Sequence, residues 1–502
     1  MKIMLANIPT QILMPGGKEK YFVKAGCRWP YSITKHRNKS IDYKPFPFYL
    51  AYTSSLLKSE GYEVIVLDAV TLNYSEKRFK DKFRKYMPDV IVTESQTPTI
   101  KHDLRTLEGL KKIHPDVKII LCGPHPTTFA ESILKKNKIV DVVLLREYEF
   151  SCLGVIKSNF KGLEKIAGVA FRKGKKIVKT EPVEVDVNKL PFPDRDSFPS
   201  TESPDVRVYW DGFCQLRPAI QLHASRGCPF RCNFCLWNQV MYANKPYRPI
   251  DAKRVVEEMI HVKKRYGANE IYFDDDTFTG NKEHVLSICR EINKRKLNVR
   301  WSCMGDAMIT DKEMLDAMAS AGCIGIKFGV EAGNKEVLKA INKPIDFDKI
   351  RTFTKVCAGR KIKTHATFTF GAIGETRESM RQTLEYAKSL DIDNIQFSIT
   401  TPFPGTRYFE TMDNKGRILT KDWEKYDGTN SSVVDFGVLS SEEVVAFYKK
   451  AHSEWLKHKK KDYRWLLRKV YFNLRSLPRR SLRENINKVK LIVNSRVYGS
   501  EY

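Results

Sequence analysis

Three cysteines stand close together in Arg226-Gly-Cys228-Pro-Phe-Arg-Cys232-Asn-Phe-Cys235. Thiolates this near one another can wrap a small inorganic core from a single loop, and a cubane iron–sulfur cluster is such a core. Three ligands for four irons leave one iron without a protein ligand. That open position can bind and activate a substrate. Zinc is the rival reading, but a structural zinc site takes four ligands. His223 is the nearby candidate for a fourth, and it falls within the preceding apolar run rather than on the loop. Cys27, Cys122, Cys152, Cys214, Cys289, Cys303, Cys323 and Cys357 are scattered, and nothing after Cys357 can ligate a second cluster. They read as small buried hydrophobes in a reducing compartment.

The elements that must hold this loop are legible as alternating strand and helix signals. Strand patterns at 219–224, 270–273, 300–303, 325–330, 364–370 and 394–399 are separated by helical ones, such as 254–266 and 312–321. Repeated β/α units predict a partial (β/α)6 TIM-type barrel over 216–410. The cysteine loop then follows the first strand at its carboxyl end, where barrel sites lie. Residues 1–150 alternate likewise, with strands at 2–8, 62–67, 90–93, 117–121 and 140–145 and helices at 48–60 and 100–113. They predict a doubly wound, Rossmann-like parallel sheet that binds ligand at its strand ends. A linker over 151–215 contains a hairpin around Lys173-Gly174-Lys175 and the Pro-rich Leu190-Pro-Phe-Pro-Asp194. The C-terminal region, 411–502, is helical and basic, and Tyr463, Leu467, Val470, Tyr471 and Leu474 share one helical face.

The chain of 502 residues is 42% hydrophobic and carries a net charge of +28. No apolar run approaches the ~18 residues of a membrane span. The apolar N-terminus is too short for a signal peptide, so the expected compartment is the cytoplasm. The charge favours an acidic partner: nucleic acid, an anionic membrane surface or a phosphorylated substrate. No RNP-like, KH-like or helix-turn-helix signature accompanies it, so nucleic acid is not the expected partner. A basic nucleic-acid-binding protein with a structural cluster is the rival of another class. The tail pattern fits an interfacial helix on anionic lipid, giving peripheral membrane contact. Packing on the barrel with solvated charges is the alternative.

Cys-x3-Cys-x2-Cys resembles the signature of the radical SAM superfamily. The resemblance implies a [4Fe–4S] cluster whose open iron chelates the amino and carboxylate groups of S-adenosylmethionine (SAM). One electron from an external donor then releases a 5′-deoxyadenosyl radical. Phe234 matches the aromatic that precedes the third cysteine and packs near adenine. Ile271-Tyr-Phe-Asp-Asp-Asp-Thr-Phe278 ends the second barrel strand, and Asp274 and Asp275 are expected at the SAM ammonium or the substrate; helix capping is the alternative. Gly329-Val-Glu-Ala-Gly-Asn334 resembles the segment whose Glu faces SAM, here Glu331. Phe370-Gly-Ala-Ile-Gly-Glu-Thr376 resembles the family's G-x-P-G-E-T turn with Ile373 for Pro, and Gly371 and Gly374 would admit adenine to the backbone. Pro402-Phe-Pro-Gly-Thr406 matches a motif closing the last strand.

The first ~215 residues are similar to the cobalamin-binding part of B12-dependent radical SAM enzymes. The matching pieces are Pro45-Phe-Pro-Phe-Tyr-Leu-Ala51, Gly61-Tyr-Glu-Val-Ile-Val-Leu-Asp68, Pro88-Asp-Val-Ile91, Gly123-Pro-His125 and Leu190-Pro-Phe-Pro-Asp-Arg195. The resemblance implies cobalamin contacts at Asn7, Pro9, Ser95, Thr97, Gly123, Pro124, His125 and Glu147. The family's G-G-P-H is Cys122-Gly-Pro-His125 here, and its G-E-G-E is Arg146-Glu-Tyr-Glu149; the Gly losses in both motifs narrow the room for a large ligand. No Asp-x-His-x-x-Gly is present, so cobalt is expected to have no His ligand from that motif, and His125 reads as a cofactor-edge residue. A flavodoxin-like domain without ligand is the alternative. The implied reaction is methylation of an unactivated carbon on a lipid, glycan or natural product. Radical cyclisation, rearrangement or oxidation is the runner-up.

Overall fold

Apolar runs without alternation set the first sheet. Residues 3–6, 64–67 and 90–92 are buried on both faces, as parallel strands covered on each side must be. The computed structural model describes residues 1–14, 18–28, 31–36 and 43–475. Its strands are β1 (Lys2–Asn7), β2 (Gln11–Met14), β3 (Lys18–Val23), β4 (Tyr31–His36), β5 (Glu63–Asp68), β6 (Val90–Glu94), β7 (Lys118–Cys122), β8 (Val142–Leu144), β9 (Val169–Lys173), β10 (Lys176–Lys179), β11 (Ala219–Leu222), β12 (Ser225–Arg226), β13 (Arg248–Pro249), β14 (Glu270–Phe273), β15 (Arg300–Gly305), β16 (Cys323–Glu331), β17 (Lys363–Phe370) and β18 (Asn394–Ile399).

The first sheet runs β10-β9-β8-β7-β6-β1-β5. β5, β1, β6, β7 and β8 are parallel, and the β9–β10 hairpin adds an antiparallel edge. The order reverses between β1 and β6, because β1 pairs with β5 on one side and β6 on the other. The carboxyl ends of β1 and β6 therefore flank a switch point, where open α/β sheets bind ligands. Alternate residues of β1 and β5 enter different cores. Met4, Ala6, Ile65 and Leu67 pack with Phe79 and Phe83. Ile3, Leu5, Val64 and Val66 enter a core continuous with the second sheet. A three-stranded antiparallel sheet, β2-β3-β4, follows β1 directly and was not expected from sequence.

The second sheet holds β11, β14, β15, β16, β17 and β18 in that order, all parallel. β11 and β18 do not pair, so the barrel is open. Its curvature is visible at Phe213, whose ring meets Tyr272 on β14, His365 on β17 and the Cα face of Gly325 on β16. A flat sheet would hold β14 and β17 about 14 Å apart. The short β12–β13 pair brackets the cysteine loop.

The Ser441–Lys459 helix opens on a capping box between Ser440 and Glu443 and is followed by the Tyr463–Arg475 helix. Trp455 and Trp465 anchor them by donating to the carbonyls of Ala387 (3.2 Å) and Asp393 (3.0 Å). The protein is thus mixed α/β: a parallel-rich N-terminal sheet, a second parallel sheet and a helical C-terminal region. Arg479 and Arg480 of the basic tail lie outside the described residues. Among those residues, no helix is long and apolar enough to cross a membrane.

Candidate functional site

The cysteine loop leaves β12 at the carboxyl end of the barrel. Cys228, Cys232 and Cys235 are partly exposed, whereas the other eight cysteines are buried and free. The Thr277 hydroxyl donates to Cys228 Sγ at 3.1 Å. Burial pushes the Cys232 thiol up to about 12, and the Lys343 ammonium opposes this. Among the described residues, no three His, Cys, Asp or Glu side chains converge on one ion. A four-iron core is wider than one ion, and three soft thiolates on one loop suit it. The donor set therefore fits the cluster.

The acidic run after β14 clamps this loop. Asp275 accepts from the Ala224 amide (2.8 Å) and the Ser225 hydroxyl with its two carboxylate oxygens. Asp276 accepts from the Gly227 amide at 3.0 Å. Asp274 is held by Arg28, whose guanidinium meets its carboxylate at 2.7 Å and also its carbonyl. Arg28 lies 3.6 Å from Asp276 as well. Asp274 and Asp275 are thus committed to protein partners, and burial raises the Asp275 carboxyl to about 7.

Glu331 ends β16 beyond a register shift, with a left-handed φ of 70°. A non-glycine residue pays of order 1–2 kcal/mol there, and such strain clusters at functional sites. Its carboxylate folds back over Gly329, so a side chain at that position would have to displace it. Burial lifts the Glu331 carboxyl to about 7, against the pull of Lys343. Lys343 itself is 8% exposed, pairs with Asp306 at 2.7 Å and lies 4.6 Å from the ring centre of Phe230 within the cysteine loop. Asp306, Lys343, Arg28 and Thr277 were missed in the sequence. Lys343 is twelve residues past Glu331 with no motif around it; only the fold brings the two together.

Phe234 packs with Ala332 and Ala372, beside Glu331 and Gly371. Gly371 and Gly374 both have positive φ, 84° and 79°. The Glu375 carboxylate accepts from the amides of Gly371 and Ala372, which fixes the turn without the family's proline. A side chain at Gly371 would press on Phe436 and Val444, whereas Gly374 faces open space apart from Ala340.

At the switch point the structure brings together Asn7, Pro9, Ser95, Thr97, Gly123, Pro124 and His125. Asn7 donates to Asp68 (2.9 Å) and Ser95 to Asp103 (2.6 Å). Thr97 meets His125 Nδ1 at 3.2 Å. Burial pushes His125 down to about 3, so it is neutral, and its ring packs on Phe129 and Trp423. Gly123 has φ 103°, and a Cβ there would stand 2.7 Å from the Ser95 carbonyl oxygen. Pro124 opens the following helix. The substituted positions are absorbed locally. Cys122 is buried with its thiol on the Thr93 carbonyl, Arg146 takes a left-handed φ of 60°, and Tyr148 turns inward onto Glu94 (2.6 Å). Asn7 Oδ1, Glu94 Oε2 and Gln96 Oε1 are buried acceptors without partners at this edge. Cobalamin is rimmed with carboxamides that donate N–H, so these acceptors fit it.

Glu147 sits elsewhere, between the two sheets. Its carboxylate pairs with Arg226 (2.9 Å) and Arg248 (2.8 Å), while Arg226 also holds Glu149. Arg226 is 1% exposed and stacks over Tyr49. The N-terminal sheet is thus bolted to the residue two before the first cysteine.

Comparisons with known proteins agree with this geometry. A model of the radical SAM superfamily matches residues 222–387, and one of the B12 binding domain matches residues 37–149. The chain is 29% identical to an uncharacterized methyltransferase of Pyrococcus horikoshii, over 81% of this chain and 86% of that protein. It is 27% identical to the anaerobic magnesium-protoporphyrin IX monomethyl ester cyclase of Rubrivivax gelatinosus, over 76% and 68%. Its fold is similar to that of the radical S-adenosylmethionine methyltransferase TsrM from Kitasatospora setae, solved with cobalamin and a [4Fe-4S] cluster. That match has a TM-score of 0.63 and 19% identity, covering 84% of this chain and 79% of that one. The cysteine loop at the barrel mouth, the ligand edge bolted to it and both family matches lead to one conclusion: this chain is a radical SAM enzyme with an N-terminal B12-binding domain, using a [4Fe–4S] cluster, SAM and cobalamin.

Proposed function

We propose that this enzyme methylates an unactivated carbon of a lipid, glycan or natural-product substrate. The observation that carries the reading is the bolting of the N-terminal region to the cysteine loop, from the first sheet through Glu147 and Glu149 to Arg226, and from the insertion after β1 through Arg28 to Asp274 and Asp276. Such bridges fix a cobalamin edge and a cluster edge around one space. When bound, the cluster supplies the electron that cleaves SAM to a hydrogen-abstracting radical, and cobalamin supplies the methyl group. Cys228, Cys232 and Cys235 hold the cluster. Lys343 pairs with the SAM carboxylate, and Glu331 accepts from its ammonium. Phe234 and the open face of Gly374 border adenine. Asp275, Asp276 and Thr277 orient the loop, and Asp274 positions Arg28. An external donor must deliver the electron.

Protein reconstituted anaerobically with iron, sulfide and cobalamin is given reductant, SAM deuterated in its methyl group, and fractionated lipid, glycan and metabolite extracts. Methylation predicts both 5′-deoxyadenosine and a product heavier by one trideuteromethyl group. Likeness to the cyclase favours ring closure as the second reading. That outcome gives 5′-deoxyadenosine and a substrate lighter by hydrogen, with no deuterium gained.

The Tyr463–Arg475 helix supports a peripheral contact with an anionic bilayer. It docks through Trp465, Phe472 and Arg468, the last on Asp391 and Asp393. Tyr463, Leu466, Leu467, Val470 and Tyr471 face outward, beside the cations Arg464 and Lys469. Replacing both Leu467 and Val470 with Glu is expected to weaken co-sedimentation with phosphatidylglycerol vesicles at least about tenfold, since two buried aliphatic groups are lost. Absent binding by the parent protein, or equal binding by the variant, ends the idea.

A further inference from the structure

Each cleavage of SAM by this chemistry takes one electron, and that electron enters the protein from outside. Most sides of the cysteine loop are closed to a carrier. Arg226, two residues before Cys228, is tied to Glu147 and Glu149 of the first sheet. Asp275 and Asp276 hold Ser225 and Gly227, and Arg28 of the insertion after β1 lies on Asp276. Toward the barrel, Phe234 packs with Ala332 and Ala372. The side that remains is the outer one, around Arg231 and Asn233, which are both partly exposed.

Two helix ends frame that side. The Asn233 side chain donates to the Ala340 carbonyl (2.8 Å) and its amide to the Ile341 carbonyl (3.0 Å), while its own carbonyl accepts from the Tyr408 amide (3.0 Å). The Gln239 carboxamide donates to the carbonyls of Cys232, Asn233 and Cys235 and accepts from the Arg407 amide at 2.9 Å. The end of the Lys335–Ala340 helix and the start of the Arg407–Asn414 helix therefore lie against the outer face of the loop. Each brings an exposed cation, Lys339 and Arg407, and the loop adds Arg231. Among the described residues no carboxylate lies within ion-pair distance of these three. Glu336 and Glu410, three residues away on each helix, are exposed and do not pair with them. Arg407 opens its helix, the end at which the macrodipole disfavours a cation, so helix stability does not account for it.

We propose that Arg231, Lys339 and Arg407 form the docking surface for a small acidic one-electron carrier protein. The inference rests on the radical SAM assignment and holds whether the product is methylated or ring-closed. One electron passes from the carrier to the cluster, the carrier is oxidised by one electron, and no bond or proton changes at the surface. Lys339 and Arg407 are at most about 22 Å apart along the bonded path through Ala340, Asn233 and Tyr408. An electron-transfer contact of about 600 Å² a side is roughly 28 Å across, so one carrier covers both cations. It then sits on the loop that carries Cys232 and Cys235. Unpaired cations speed the capture of an oppositely charged partner, which a carrier that binds and leaves at each turnover needs. A nucleic acid would meet the same charges but brings no electron.

The test measures binding of an acidic flavodoxin and an acidic ferredoxin to reconstituted holoenzyme by anaerobic calorimetry. It also measures 5′-deoxyadenosine formation driven by each reduced carrier or by dithionite. Lys339→Glu combined with Arg407→Glu is expected to weaken carrier binding and carrier-driven formation at least about tenfold at low salt. Dithionite is too small to need a docking surface and should drive variant and parent equally. Lys339→Arg combined with Arg407→Lys should keep parental binding, because charge is what the carrier meets. Lys112→Glu combined with Lys136→Glu makes the same charge change beside the amino ends of β7 and β8, and should leave binding as in the parent. Added salt should narrow the gap between parent and variant. No binding of either carrier by the parent, undiminished binding after the Lys339 and Arg407 reversals, or an equal loss in the Lys112 and Lys136 control overturns the docking surface. Single-stranded RNA whose binding falls with the Lys339 and Arg407 reversals while carrier binding does not assigns the patch to nucleic acid and overturns it too. Failure of dithionite to yield 5′-deoxyadenosine in the parent counts against the radical assignment instead.

Discussion

Cys232→Ala is expected to lose its cluster and to form no detectable 5′-deoxyadenosine. The loop offers three thiols and no spare ligand. His223 cannot swing in, because it is buried and stacked on Phe48 with ring centres 3.7 Å apart. The remaining cysteines are all buried. Loss of an outer partner of a metal ligand commonly costs 10–100-fold, so loss of a ligand should exceed about 100-fold in iron retention or turnover. Iron and sulfide content per chain, with product quantified by chromatography, checks this. Full iron occupancy together with parental SAM cleavage in the variant would falsify the radical assignment.

The second large effect concerns Arg226, which touches neither cofactor in the proposed scheme. Arg226→Met leaves Glu147 and Glu149 buried against the cysteine loop without their shared cation. Removing one partner of a buried ion pair typically costs about 3–5 kcal/mol. Denaturant unfolding of the apoprotein should show a loss of that size. Lys at this position should recover only part, because an ammonium lacks the planar fork that meets both carboxylates. The deficit depends on pH. Burial already raises the Glu149 carboxyl, and Arg226 opposes that rise. Without Arg226 its folded-state pKa climbs further above the unfolded value near 4.3. A group raised in this sense contributes stability that is fully present below the unfolded pKa and lost as pH rises through the folded one. The variant should therefore be closer to the parent at pH 5 than at pH 8. A deficit below about 1 kcal/mol, or one that grows on acidification, would show that the triad is not a bolt between the sheets.

Arg28 offers a second connection. It belongs to the segment between β3 and β4, and the same antiparallel sheet sends Lys24 to Asp103 at 2.6 Å and Lys20 to Asp427 at 2.6 Å. One insertion after β1 thus touches the switch-point edge, the cysteine-loop clamp and the C-terminal region. The departures Cys122 and Tyr148 lie near this edge. Neither projects into it as an obstacle, since the Cys122 thiol is spent on Thr93 and the Tyr148 hydroxyl on Glu94.

Much of the protein was legible in its residues alone, and the reason is locality. The three clustered cysteines lie on one loop, so spacing suffices to single them out. The parallel strands are continuous apolar runs, so burial on both faces announces them. Glu331, Gly371 and Gly374 end strands or shape turns, where local backbone demands mark them. Roles that depend on distant partners could not be read this way. Asp274 and Asp275 look like ligands in sequence, yet the fold surrounds them with Arg28, Ala224 and Ser225. Glu147 looks like a cofactor contact, yet it faces two arginines from the barrel side. Lys343 and Lys363 look like two more lysines in a basic chain. Only the closing of the barrel sets one beside Cys232 and the other on the Phe213 ring and carbonyl, because a charge acquires its meaning from what lies within a few ångströms of it and not from its neighbours along the chain.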